Sequence, residues 1–205
     1  LAPSAPLLQE TVVVDTGSQD KTRDVAARSG ARVFEFEWCD DFASAPNESL
    51  GPATGDWIFW LDADDRLDRE NTAKLAALLA ALDDQPRVFQ MNCVSAIPSK
   101  AAGIWQATQA RLFRRHPAMR WAGRVHEQLS PPPHELGLVS VPTDIAIHHT
   151  GYEDADLCRR KLMKKLRLLR MDYATNPNDV SMLFHLGMSL LEVGRVAEAP
   201  HRRRY

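Results

Sequence analysis

Residues Gly55-Asp56-Trp57-Ile58-Phe59-Trp60-Leu61-Asp62-Ala63-Asp64-Asp65 run an apolar, aromatic segment directly into three carboxylates. A strand buried on both faces stops where its side chains turn polar, and in open α/β sheets ligands sit just outside such carboxyl ends. Two aspartates one residue apart, with a third adjacent, make a hard-oxygen site suited to Mg²⁺ or Mn²⁺ carrying a phosphate ligand. The segment therefore predicts an α/β sheet with diphosphate chemistry at its rim.

The surrounding pattern supports that layout. Val12-Val13-Val14 leads into the turn cluster Asp15-Thr16-Gly17-Ser18, and Ser18 or Asp20 is placed to cap a helix over about 21–29 that Gly30 ends. Strands are expected at 32–36 and 57–61, and a helix at 69–82 capped by Asp68, with Leu75, Leu78, Leu79 and Leu82 at helical spacing. Strand alternating with helix predicts a mixed, mainly parallel sheet with flanking helices. Shorter strands are expected at 88–94, 110–113, 138–141 and 144–147.

After residue 152 the pattern is helical only. A basic segment at 159–170 carries Leu162, Leu166 and Leu169 as a core-facing stripe, which leaves its charges as a solvated face; a membrane or acidic-partner surface is the alternative reading. A second helix is expected over 180–199. The division that follows is 1–152 for the α/β domain and 153–205 for a helical tail.

Composition narrows the function classes. At 205 residues and a net charge of −2, the chain can bury a core but offers no global electrostatic attraction for nucleic acid. No apolar run approaches the roughly 20 residues that span a bilayer. Cys39, Cys93 and Cys158 are odd in number and lack CxxC spacing, so reduced thiols and a cytoplasmic location are expected.

Several motifs in series carry a family resemblance. Asp15-Thr16-Gly17-Ser18-Gln19-Asp20-Lys21-Thr22 resembles the D-x-G-S-x-D-x-T turn of family 2 glycosyltransferases of the GT-A fold. Asp41-Phe42-Ala43, Asn47, Gly55-Asp56-Trp57 and Leu61-Asp62-Ala63-Asp64-Asp65 follow in the family's order. Arg111-Leu112-Phe113-Arg114 and Gly123-Arg124-Val125-His126-Glu127-Gln128-Leu129 resemble the segment lining the acceptor side in one bacterial branch, and His149-Thr150-Gly151-Tyr152 matches that branch's H-x-G-Y ending. The match covers residues 10–152. Leu183, Leu186-Gly187, Gly194 and Ala199 are similar to one tetratricopeptide repeat, whose apolar face needs the basic helix or a protein partner to cover it.

The resemblance implies a metal-dependent, inverting transferase that moves a sugar from a nucleotide-diphosphate donor to an acceptor hydroxyl on a protein, lipid or saccharide. Asp15, Gly17, Ser18, Asn47 and Asp62 would bind the nucleotide sugar, and Asp15 has the turn aspartate as its competing reading. Asp64 would be the direct ligand of Mn²⁺ or Mg²⁺, with Asp62 nearer the sugar or ribose and His149 completing the site from the far end of the domain. Glu127 would be the catalytic base, with His126 sharing or steering its proton, against a structural pairing of Glu127 with Arg124 or Arg114. Trp121 and Trp105 would stack on a sugar or fill the core.

Two features depart from the family pattern. Pro46 stands where an Arg usually precedes the Asn, and proline brings no donor. The strand and helix that precede the first motif in the family have no counterpart in the few residues ahead of Asp15, which implies a chain lacking that unit. Two other classes follow from these residues: a non-catalytic scaffold acting through its tail, and a phosphoryl-handling hydrolase. An EF-hand is excluded, since Leu67 and Ala73 stand where Gly and Glu would be needed.

Overall fold

A computed structural model of the chain describes residues 7–97, 103–150 and 155–194. Strand β1 (Val12–Asp15) pairs in parallel with β2 (Arg32–Glu35), joined by helix α1 (Thr22–Arg28). Asp20 accepts the Thr22 N–H at 2.9 Å, and Gly30 ends the turn after α1 at φ +81.

The main sheet has five strands in the order β3 (Trp57–Phe59), β6 (Gly103–Arg114), β5 (Arg87–Ile97), β9 (Val139–His149) and β4 (Asp65–Arg66). The expected mixed sheet with flanking helices is the one observed. Its balance differs from expectation, because only β1 with β2 and β5 with β9 pair in parallel. The other four pairings are antiparallel, including the short hairpin of β7 (Arg120–Ala122) and β8 (Gln128–Ser130). The two strands expected at 138–141 and 144–147 are the single strand β9. Its ladder with β5 shifts register beside Pro142, which has no N–H to donate, and the Thr143 hydroxyl bonds the Gln90 carbonyl there at 2.8 Å.

Both faces of the sheet are buried, and the period of two along each strand assigns alternate residues to opposite cores. Phe89 and Leu112 enter a core with Leu75 of helix α3 (Arg69–Ala80), whereas their neighbours Val88 and Phe113 enter a second with Met119 and Trp121. Asp68 caps α3 as expected, accepting the Asn71 N–H at 2.8 Å. Helix α2 (Ser44–Leu50), unanticipated in the sequence, carries Pro46 in its first turn, where a missing N–H costs nothing.

The tail is α4 (Ala155–Thr175) and α5 (Val180–Glu192), the latter capped by Asp179 on the Met182 N–H at 2.9 Å. Leu166 and Leu169 pack against Met182, Leu186 and Leu190, with Val125 of the loop between β7 and β8 closing the cluster. The expected basic solvated face is only half correct. Lys161, Lys164 and Arg167, three residues apart along α4, turn toward the α/β domain: Lys161 reaches Asp64, Lys164 lies over the Trp38 ring, and Arg167 binds Asp40. Burying the leucine stripe against α5 brings that neighbouring stripe of cations onto the acidic domain surface. The repeat-like residues beyond Gly194, the Tyr152 end of the last motif and the Trp105 side chain lie outside the described residues.

Candidate active site

Chain topology assembles the acidic cluster. β4 and β9 pair so that Asp65 stands opposite His149, two residues 84 apart in sequence. Ligand atoms of Asp62, Asp64, Asp65 and His149 all lie within 4.8 Å of one another. His149 Nδ1 is 3.0 Å from Asp65 Oδ1 and 3.4 Å from Asp64 Oδ1. His148 alternates to the other side, near Asp68 at 3.4 Å.

The three aspartates have different jobs. Asp65 has no exposed side-chain surface; its Oδ2 accepts the Asp62 N–H at 2.9 Å and lies 3.1 Å from Arg111. Burial pushes the Asp65 carboxyl up, but the His149 bond and the Arg111 charge outweigh it and hold it below the usual carboxylate range. The same bond raises His149 above its ordinary value. Asp62 lines an adjacent cleft, with 39% of its side chain exposed. Desolvation there raises its pKa, and Asp65 and Asp64 add to the rise against the pull of Arg111. Asp64 is bonded to the Lys161 ammonium at 3.2 Å.

Arg111 is the functional residue that sequence reasoning left without a role. It is 2% exposed, touches Asp65 at 3.1 Å and Asp62 at 3.5 Å, donates from Nε to the Cys93 sulfur, and stacks 4.5 Å from the Trp60 ring centre. A guanidinium cannot give up its proton, so a buried one requires carboxylate partners. An arginine amid Ala110, Leu112 and Phe113 is the signal that could have revealed it.

The cleft, of about 230 Å³, brings Thr16 from the end of β1 together with Trp38, Phe42, Trp60, Asp62, Glu127 and Lys164. Glu127 therefore faces the same space as Asp62. Burial raises its carboxyl above the ordinary range and the Asp62 charge contributes in the same direction. Arg124 donates instead to Asp172 at 2.8 Å, and Arg114 to Asp84 at 3.2 Å.

Other expected site residues have partners within the protein. His126, in the left-handed region at φ +58, stacks on His185 of α5 at 3.8 Å and lines a separate groove against the tail. Desolvation, with His185 and Lys165 nearby, lowers it to about 4, so its ring is neutral near pH 7. Asn47 makes two bonds to the Trp121 backbone, at 2.8 and 2.7 Å, so its amide ties α2 to β7. Asp15 Oδ2 accepts the Gly17 and Ser18 N–H groups at 3.1 and 3.0 Å, and the Ser18 bonds keep its pKa low. Gly17 is required by its φ of +105, with nothing close to where a Cβ would stand. Trp121 fills the core against Trp60 and Phe113.

An acidic cluster of cation-ligand composition thus lies beside a cleft lined by Asp62 and Glu127, on a mixed α/β sheet. The profile of glycosyl transferase family 2 matches residues 5–132, and the chain belongs to that family. It is 31% identical over 207 residues to a TPR repeat-containing protein of Synechococcus elongatus, across 97% of this chain and 50% of that protein. It is 27% identical over 194 residues to the SPbeta prophage-derived glycosyltransferase SunS of Bacillus subtilis, across 93% and 45%. The chain spans about half the length of these curated relatives. The crystal structure of S. aureus TarS 1-349 in complex with UDP-GlcNAc aligns at a TM-score of 0.44 and 12% identity, covering 88% of this chain and 62% of that one.

Proposed function

We propose that this chain carries the donor site and catalytic base of a metal-dependent, inverting glycosyltransferase that uses a nucleotide-diphosphate sugar. The observation that supports it most is the convergence of Asp62 and Glu127 on one cleft, with Asp64 and His149 beside it. Two carboxylates and an imidazole fit Mn²⁺ or Mg²⁺, and a cation held there by Asp64, Asp62 and His149 would supply positive charge to the diphosphate. Asp65 is committed to Arg111 and to the Asp62 backbone, and acts as the support that aims the others.

Glu127 takes the proton of the acceptor hydroxyl as that oxygen forms its bond to the anomeric carbon. The bond from that carbon to the diphosphate oxygen breaks on the opposite face, and its electron pair leaves with the nucleotide, so the configuration inverts. A carboxylate whose pKa is raised by burial is a stronger base. Family membership and SunS among the relatives support this class.

The division at residue 152 and the cytoplasmic location stay part of this proposal; among the described residues no helix is long and apolar enough to cross a membrane. A protein partner for the tail is favoured by the apolar side chains of Val180, Phe184, Met188 and Leu191 exposed along α5. Calorimetric titration of UDP- and GDP-sugars with and without Mn²⁺, in wild type and Asp64→Ala, tests the donor site. Metal-dependent affinity lost in the variant supports it; identical affinities in all four conditions would end it.

A further inference from the structure

Helix α4 lies outside the segment that the family profile matches, yet it forms part of the cleft wall. Its Lys164 ammonium sits 3.6 Å from the Trp38 ring centre and 5.2 Å from that of Phe42. An aromatic face positions an ammonium without cancelling its charge, unlike the carboxylate that holds Lys161 one turn earlier. The other charged groups lining the cleft are Asp62 and Glu127, both acids. Pro46, on the same wall, has no N–H, and Arg111 is buried beneath Trp60 with its donors directed to Asp62, Asp65 and Cys93. Among the described residues lining the cleft, Lys164 is therefore the one cation facing its open space.

A diphosphate entering beside two carboxylates needs counter-charge, and Lys164 is the cation on the wall of that cleft. We infer that Lys164, delivered by the tail helix, is a binding residue for the diphosphate of the donor. This rests on the donor reading above and adds to it a contact from outside the matched family domain. Burial lowers the Lys164 pKa against the pull of the Asp40 carboxylate, consistent with an ammonium already stripped of part of its water before the anion arrives.

The test measures Mn²⁺-dependent binding of UDP, GDP, uridine and inorganic pyrophosphate to the full chain by calorimetry, in wild type, Lys164→Gln and Lys164→Arg. Loss of one hydrogen bond to a charged group should weaken the nucleoside diphosphate that binds, and pyrophosphate, by roughly tenfold to a hundredfold in Lys164→Gln. Lys164→Arg should recover most of that affinity, and uridine should bind all three proteins alike. Unchanged diphosphate affinity in Lys164→Gln would overturn the assignment and leave the donor site standing. So would an equal loss in Lys164→Arg, which would trace the effect to packing on Trp38. A wild-type chain that binds neither UDP nor GDP would remove the donor reading and this contact together.

Discussion

The Lys161 ammonium lies 3.2 Å from Asp64 Oδ2, joining the tail to the acidic cluster across 97 residues of sequence. Three aspartates gather at this rim, and Arg111 and Lys161 offset them. A divalent ion arriving at Asp64 must compete with an internal cation for the same oxygen.

Replacing that cation should therefore favour the metal. Lys161→Ala is expected to tighten Mn²⁺ binding by about two- to fivefold, the scale of a partly exposed ion pair. Titration calorimetry with MnCl₂ at low ionic strength checks this, and weaker binding in the variant would contradict it.

Asp64 and Asp65 are adjacent but should fail in different ways. Asp64→Ala is expected to abolish Mn²⁺ binding with little change in the unfolding midpoint. Asp65→Ala strands Arg111 in the interior and should cost about 3–5 kcal/mol of stability, the cost of breaking a buried pair. Urea denaturation of both variants separates the two roles.

Glu127→Gln keeps the size of the side chain but cannot accept the proton. Its turnover should fall by roughly 10²- to 10⁴-fold while donor affinity is retained. In wild type the ionised form is the active one, so the rate should fall as pH drops through the raised Glu127 pKa, a limb lying above the ordinary carboxylate value of 4.5. Single-turnover rates across pH give both readouts, and an unaffected variant would assign the base elsewhere.

The stacked pair of His126 and His185 should make tail docking acid-sensitive. His126 titrates near 4 when folded and near 6.5 when released, so between those values the unfolded chain binds the extra proton. Stability then rises with pH across that window and is lost as pH falls from 6.5 toward 4. His126→Asn, which tolerates the left-handed backbone, should flatten that slope in thermal melts.

The elements that were readable in the sequence owe their form to neighbours along the chain. Asp68 caps α3 three residues away, Gly30 ends the α1 turn, and Trp57-Ile58-Phe59 is apolar because both sheet faces are covered. What escaped depends on distant register. β4 is two residues long and exists only by pairing with β9, so nothing local announces that Asp65 would meet His149. Arg111, quoted within a motif, showed no partner until the Asp62–Asp65 loop folded over it. Likewise the Asn47 bonds to the Trp121 backbone and the α5 ring stacked on His126 join residues far apart in sequence.

The cationic stripe of α4 bears on how such enzymes can be recombined. A chimera that keeps this chain's first 132 residues and grafts on a foreign carboxy-terminal half would inherit two of the cleft's acids without Lys164, and the aspartate cluster without His149 or Lys161. Exchanging tails between homologues would thus alter the charge lining the cleft as well as any recruitment specificity, and compatible halves would have to be chosen by matching electrostatics across the seam.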